Sequence, residues 1–314
     1  MSDRAYVRQY FSDHARRWRG RAYDDALDTE TFPVGAQRLR LAMEAVLERL
    51  GSGRGHLVDL GCGGGELCGH AANLGFTVTG VDIADGMIAE AEALRHTLPP
   101  DAGGRLRLQV GDVLANGLAS AGADAVTAIG LIEYLERDDV FFREAARLLR
   151  PGGVLVVSCR NRLFNLASLN DYTRREIDGG TAAGLLDEIR GLDGDRGIRD
   201  RVRDFAARLR EGADALEKAA LMDLDDRRPT RPEPPTPVFE QIRRQHSPRE
   251  LATAAAASGF TNPVFVGVHP HPLPPALESV APRFYNRLAR MLEALETSPA
   301  SLAWSSAFLG VFTR

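Results

Sequence analysis

Between Gly55 and Cys159 the apolar positions fall into short runs separated by amphipathic stretches. "HLVDL", "FTVTGVD", "RLRLQVGD", "ADAVTAIGLI" and "VLVVSC" have strand length and are rich in β-branched and leucine residues. Between them, "GELCGHAANLG", "ADGMIAEAEALRHTL" and "RDDVFFREAARLLRPGG" place apolar residues at helical spacing, and Pro151-Gly152-Gly153 stops the last of these helices. Strands alternating with helices at this interval predict right-handed βαβ units and a parallel sheet. Earlier in the chain, "YVRQYFSDHARRW" sets Tyr6, Tyr10, Phe11 and Trp18 at roughly helical spacing. "GAQRLRLAMEAVLERLG" then reads as an amphipathic helix with Leu39, Met43, Val46, Leu47 and Leu50 on one side and a stop at Gly51.

After Cys159 the alternation is lost for about 85 residues. "NRLFNLASLNDYTRREIDGG" and "GIRDRVRDFAARLREGADALEKAALMDL" are polar and helical in character, and the proline-rich "DDRRPTRPEPPTP" predicts an extended loop. A helix resumes at "SPRELATAAAASGF", with Ser247 as N-cap and Pro248 in the first turn. "TNPVFVGVHP" reads as a strand, "PALESVAPRFYNRLARMLEALE" as a helix and "SSAFLGVFTR" as a last strand. The pattern divides the chain into an N-terminal helical cap (1–50), an alternating core (51–160), a helical insert (161–246) and a return to the core (247–314).

Composition narrows the function. The 314 residues are 44% hydrophobic and 26% charged, as in an ordinary globular protein, with a formal charge of −4. That charge gives no reason to expect nucleic acid as a partner. No run approaches the length of a membrane span, and "MSDRAYVRQYF" lacks the apolar core of a signal peptide. Cys62, Cys68 and Cys159 are few and odd in number, which points to a reducing compartment; we expect a cytoplasmic protein. Cys62 and Cys68 read as small core residues, because no cysteine or histidine cluster completes a metal site. "HPHPLPP" at 269–275 reads as a proline-rich loop in preference to a metal site.

The chemistry concentrates in "LVDLGCGGGELCGHAANLGFTVTGVD", residues 57–82. Gly61, Gly63, Gly64 and Gly65 lie where a strand turns into a helix, so the backbone can bend sharply and a ligand can touch it. Asp82 closes the next strand, where a carboxylate can accept from both hydroxyls of a ribose. Glu66 stands where the dinucleotide fingerprint requires a small residue, and no Gly-Lys-Ser/Thr makes a P-loop. Asp59, two residues before the first glycine, can accept from an ammonium group. The stretch suits a ligand with a nucleoside end and an amino-acid end.

"VDLGCGGGE", "VTGVDIADGMI", "LQVGDV", "ADAVTAIGLIEYL" and "AARLLRPGGVLVVS", in this order, resemble the class I S-adenosylmethionine-dependent methyltransferases over about residues 55 to 160. The resemblance implies a doubly wound, Rossmann-like α/β fold. Its seven-stranded, mostly parallel sheet ends in an antiparallel strand, and a helical lid insert follows strand five. It also implies S-adenosylmethionine as cofactor and S-adenosylhomocysteine as product, with no metal. Gly61 and Gly63 would approach the methionine part, with Asp59 near its ammonium group. Asp82 would hold the ribose hydroxyls, Ile83 and Met87 would adjoin the nucleoside, Asp112 and Val113 would face the adenine, and Gly130 would line the methionine tail.

A methyl group on a sulfonium is already activated, so positioning supplies much of the catalysis and no fixed catalytic motif is required. We expect an enzyme that methylates oxygen or nitrogen of a small molecule, as a monomer or homodimer without nucleic-acid or membrane partners. A large insert over the sheet edge favours such an acceptor. His14, Glu133 and Tyr134 are the candidate catalytic residues; Tyr172, His246 and His269 are further possible bases. Arg160, Arg162 and Tyr172 are the candidate substrate contacts. One of the two arginines would pair with an anionic group, unless both only anchor the insert. The alternatives are an RNA or protein methyltransferase and a non-catalytic cofactor-binding subunit that activates a partner. "GLIEYL" after strand four lacks the Asn/Asp-Pro-Pro-Tyr/Phe sequence of enzymes that methylate base amino groups.

Overall fold

The computed structural model describes residues 3–23, 32–51, 54–192, 194–195, 197–225 and 243–314. Two helices, α1 (Asp3–Tyr23) and α2 (Val34–Leu50), precede the sheet. The core then runs β1 (His56–Leu60), α3 (Glu66–Asn73), β2 (Thr77–Asp82), α4 (Asp85–Thr97), α5 (Pro100–Arg105), β3 (Leu106–Val110), β4 (Ala123–Ile129), α6 (Asp138–Leu148) and β5 (Leu149–Arg160). The insert contains α7 (Asn165–Ser168), α8 (Asp171–Asp178), α9 (Ala182–Arg190) and α10 (Ile198–Asp225). Then come α11 (Pro248–Ala256), β6 (Thr261–Pro270), α12 (Pro282–Leu292) and β7 (Ser305–Thr313).

The strands form one sheet in the order β3-β2-β1-β4-β5-β7-β6. β1 to β5 are parallel, and β7 runs antiparallel to both β5 and β6. The order reverses at β1, because β2 pairs on one side of it and β4 on the other. The carboxyl ends of β1 and β4 therefore open a crevice between diverging connections, where open α/β sheets bind ligands. Both sheet faces are covered, which is why these strands are nearly continuous apolar runs. Phe141, Phe142, Phe308 and Phe312 pack on one face, and Met43, Leu57 and Phe76 on the other. Each is fully or nearly fully buried, worth roughly 1.5–3 kcal/mol per side chain.

Several local details depart from the pattern reading. The helix expected over residues 275–296 is broken. A 3₁₀ turn covers Pro275–Leu277, α12 begins only at Pro282, and Ala281 before it has φ −137° and ψ 65°, away from helical values. The helix expected to stop at Pro151-Gly152-Gly153 ends earlier: α6 closes at Leu148, the chain enters β5 at once, and these three residues lie inside the strand. Its partners skip from Ala123↔Leu149 to Ala125↔Val154, and the bulge is tied to the chain end by Gly152 N–H to the Arg314 carbonyl at 2.8 Å. Ser247 and Glu250 form a reciprocal capping box on α11, with Pro248 at its first turn. The proline-rich stretch expected to be an extended loop falls, apart from Asp225, within 226–242, outside the described residues.

The insert is helical, and its longest helix, α10, packs on α12. Asp223 on α10 is buried and accepts from Arg283 at 3.0 Å and from the Phe284 N–H at 2.9 Å. Cover over the crevice comes from α1. Its Ser12 hydroxyl donates to Asp85 at 2.8 Å, and the two helices touch backbone to backbone at Gly86, where a Cβ would lie 2.4 Å from the Ser12 carbonyl oxygen. Only glycine permits that approach.

Candidate functional site

Under α1, at the carboxyl ends of β1, β2, β4 and β5, lies a cavity of about 600 Å³. The turn after β1 builds its floor. Gly61 has φ +73°, in the left-handed region that other residues avoid, and its N–H donates to the Val81 carbonyl at 2.8 Å. The next turn swings Gly63 beneath Asp82, so that the Asp82 Oδ2 accepts the Gly63 N–H and its Oδ1 accepts the Ala84 N–H, both at 2.9 Å. Burial pushes the Asp82 carboxyl up, against the lowering effect of these donors. Each carboxylate oxygen retains a lone pair for a ligand hydroxyl.

Gly61, Gly63, Asp82, Ile83, Met87, Asp112, Val113 and Gly130 all line this one cavity. Asp112 caps its own turn through Leu114 N–H at 2.9 Å and pairs with Arg4 of α1 at 2.6 Å. Asp59 differs from its expected setting. It is 3% exposed and lies beneath the wall, where its Oδ1 accepts from the Thr127 hydroxyl at 2.7 Å and its Oδ2 from the Cys68 thiol at 3.4 Å. Burial pushes its carboxyl up to about 7 in spite of these donors. Cys62, Cys68 and Cys159 are free and buried.

The other half of the cavity is where the chemistry-bearing side chains meet. His14, Glu133, Tyr134 and Arg160 all line it. The His14 Nδ1 lies 2.7 Å from the Tyr10 carbonyl, so Nδ1 carries the proton and Nε2 the lone pair. Glu133 is 5% exposed, and its buried Oε2 has no hydrogen-bond partner among the described residues. Burial pushes the Tyr134 hydroxyl up, with the Glu133 charge adding to the effect, so it stays protonated at neutral pH. His269 also faces the cavity, stacked on Phe32 with ring centroids 4.3 Å apart, and burial drives its pKa well below the usual histidine range.

Arg162 and Tyr172 are not brought to this wall. Arg162 pairs with Glu176 at 2.8 Å and with Glu250 at 2.5 Å, tying α8 to α11. Both residues border a smaller pocket of about 220 Å³ behind Arg243. His246 is engaged by Asp138 at 3.0 Å. Among the described residues no group of three or more potential metal ligands occurs, and His269 and His271 pack on each other and on Tyr285.

Two arginines in the cavity carried no sequence signal. Arg38, from α2, reaches across Gly130, where a Cβ would lie 3.0 Å from its Nη1. Arg243 comes from a segment 83 residues beyond Arg160 in sequence and meets it in the same cavity wall.

Residues 58–157 match a family model described as a methyltransferase domain. A ubiquinone biosynthesis O-methyltransferase of Sinorhizobium medicae is 36% identical over 123 residues, covering 38% of this chain and 47% of that one. One of a Caulobacter species is 34% identical over 149 residues, covering 44% and 57%. The chain thus spans about half the length of these curated relatives. A magnesium protoporphyrin IX methyltransferase from Synechocystis with bound S-adenosylhomocysteine superposes over 100% of both chains, with a TM-score of 0.55 and 15% identity. A (4+2)-cyclase superposes over 98% of this chain and 94% of that one, with a TM-score of 0.54 and 15% identity. At these identities the structures establish a shared fold. The sequence match over residues 58–157 is thus to a methyltransferase domain, and the solved structures share this chain's fold.

Proposed function

We propose that the protein transfers a methyl group from S-adenosylmethionine to an oxygen or nitrogen of a small, anionic molecule enclosed beneath α1. The observation that carries this reading is the single cavity joining two chemically distinct halves. One half offers Asp82 beside an apolar slot of Ile83, Met87 and Val113, and the other gathers Glu133, Tyr134 and Arg160.

The donor set fits the cofactor end to end. Asp82 has free lone pairs for two ribose hydroxyls. The apolar slot suits the adenine, with Asp112 and the Val113 backbone at its edge. Arg38 over Gly130 supplies the cation that an amino-acid carboxylate requires. Asp59 under the glycine turn would act on the ammonium group through the field of its carboxylate. When bound, the cofactor supplies a methyl carbon already activated by its sulfonium.

The protein's task is then to align a nucleophile and exclude water. The acceptor's lone pair makes the new bond to carbon as the carbon–sulfur bond breaks, with that electron pair going to sulfur, and the acceptor proton must go to a base. Glu133 suits this role through its unpartnered Oε2, and the protonated Tyr134 suits a hydrogen-bonding role beside it. His14, with Nε2 as the acceptor nitrogen, is a second proton acceptor on the covering helix. The cavity beneath α1 and the likeness to ubiquinone biosynthesis O-methyltransferases favour a small molecule over a folded macromolecule. Three free, buried cysteines accord with action in the cytoplasm, and no described helix is long and apolar enough to cross a membrane.

Calorimetric titration with S-adenosylmethionine, S-adenosylhomocysteine and NADH tests the cofactor. Micromolar binding of the first two without NADH supports the reading, and NADH binding overturns it. Release of S-adenosylhomocysteine across a panel of hydroxylated and amino acceptors tests turnover, and Glu133→Gln should lower that rate by about 10²-fold or more.

A further inference from the structure

The acceptor half of the cavity contains a cation pair that nothing so far explains. Arg160 ends β5, and its guanidinium turns into the cavity 5.6 Å from the Tyr172 ring centroid. Its Nε is buried without a hydrogen-bond partner, and no ion pair engages it among the described residues. Arg243 lies in the same wall, where its side chain hydrogen-bonds to that of Tyr134. Burial lowers the Arg160 pKa, and repulsion from Arg243 lowers it further. A buried guanidinium beside a like charge is costly unless an anion joins it.

The pair is built, not incidental. The backbone of 243–246 is laid along the end of β5 and the turn after β4. The Arg244 N–H donates to the Glu133 carbonyl at 3.0 Å, the His246 N–H to the Arg160 carbonyl at 3.2 Å, and the Arg162 N–H to the His246 carbonyl at 2.9 Å. The Arg244 and His246 side chains both bind Asp138, at 2.8 and 3.0 Å, which fixes the segment a second time. These anchors set Arg243 in the cavity wall within reach of the Arg160 charge.

We propose that Arg160 and Arg243 form a subsite for a carboxylate on the methyl acceptor, resting on the methyltransferase reading above. The charge balance selects the anion. With Arg38 of the same cavity given to the cofactor's carboxylate in that reading, the two remaining guanidinium groups face one carboxylate, Glu133, whose charge acts on both, so one negative charge is wanting. A carboxylate supplies it, whereas a phosphate dianion would leave an excess. The forked donors of arginine also match the two oxygens of a carboxylate. The same group would orient the acceptor, holding its reacting atom towards Glu133 and the methyl carbon.

The test uses the full chain saturated with S-adenosylhomocysteine and three probes that share a phenyl ring, the near-isosteric benzoate and benzamide and the longer phenyl phosphate, followed by ligand-observed NMR titration. Benzoate should bind, benzamide should bind at least tenfold more weakly, and phenyl phosphate should not exceed benzoate. Arg160→Gln and Arg243→Gln should each weaken benzoate at least tenfold, and Arg160→Lys should restore part of the loss. S-adenosylhomocysteine affinity reports that each variant is folded. No benzoate binding, equal binding of benzamide, or unchanged binding in both glutamine variants overturns the subsite. Tighter binding of phenyl phosphate reassigns it to phosphate and overturns the carboxylate claim. Failure of S-adenosylhomocysteine to bind wild type would instead defeat the methyltransferase reading itself.

Discussion

Replacing Asp82 probes the cofactor half most directly, and its cost can be worked from the contacts. In the free protein each carboxylate oxygen already accepts one backbone N–H, from Gly63 and Ala84. A ribose with two hydroxyls would use the remaining lone pairs, adding two hydrogen bonds to a charged acceptor at about 1.5–3 kcal/mol each. Because the two bonds share one carboxylate, they do not add fully, and we take about 3–4 kcal/mol for the pair. At 1.4 kcal/mol per tenfold, Asp82→Ala should weaken S-adenosylhomocysteine by about 10²- to 10³-fold. Asp82→Asn keeps one acceptor oxygen and should lose about tenfold to thirtyfold.

Both variants also disturb the apoprotein, because Gly63 and Ala84 lose an acceptor. The glycine turn should loosen, and thermal unfolding would report it separately. Calorimetry on variants that retain a cooperative melt therefore isolates the ligand contribution. An alanine variant that melts cooperatively and binds S-adenosylhomocysteine within threefold of wild type would refute the assignment of Asp82 to the ribose. The order of the variants matters too: if asparagine bound more weakly than alanine, steric shape and not hydrogen bonding would govern the site.

Three further outcomes follow from other contacts. Gly86→Ala forces a Cβ to within 2.4 Å of the Ser12 carbonyl, so α1 must lift; tryptic cleavage within α1 should accelerate and S-adenosylhomocysteine affinity fall, and unchanged digestion would count against α1 as the cover. Asp59 binds a proton in the folded state up to about pH 7 but in the unfolded chain only to about pH 4, so its contribution to stability declines as pH rises between these values. Relative to Asp59→Asn, wild type should lose about 2 kcal/mol between pH 5 and pH 7 in urea melts, and parallel pH profiles would refute the shift. Glu176 accepts from Arg162 at 2.8 Å and from Asn165 at 2.8 Å, which with Thr181 holds its carboxyl down at about 2 in spite of partial burial. Its stabilisation is present above about pH 4.5 and lost as pH falls towards 2; Glu176→Ala should cost about 3 kcal/mol at neutral pH by chemical denaturation, with a cost under 1 kcal/mol counting against a working pair.

What the sequence made legible follows from how local the cause was. The strands, the βαβ order and the turn after β1 are written in short-range pattern: apolar runs, glycines at fixed offsets, an acid closing β2. Ser247, Pro248 and Glu250 signal their capping box within four residues. Gly61, Gly63, Asp82 and Asp112 were identifiable as neighbours because parallel strands bring their carboxyl ends together whatever lies between. Arg38 and Arg243 had no such mark. Arg38 is one polar residue among several on an amphipathic helix, and only the packing of α2 beside β4 sets it over Gly130.

Arg243 is the harder case, and it shows where specificity is hidden in this chain. "IRRQ" has no periodicity and no motif, whereas Arg162 is a candidate substrate contact in the sequence because it lies just beyond the fifth strand. The two exchange roles through partners far away in sequence. Glu176 and Glu250 neutralise Arg162 and make it a strut between α8 and α11, while Asp138 takes Arg244 and His246 and leaves Arg243 turned to the cavity. An arginine's function here is decided by which carboxylates the fold supplies to its neighbours. The residue left to share a single carboxylate with another arginine, in the wall of the reaction chamber, is the one to test for substrate.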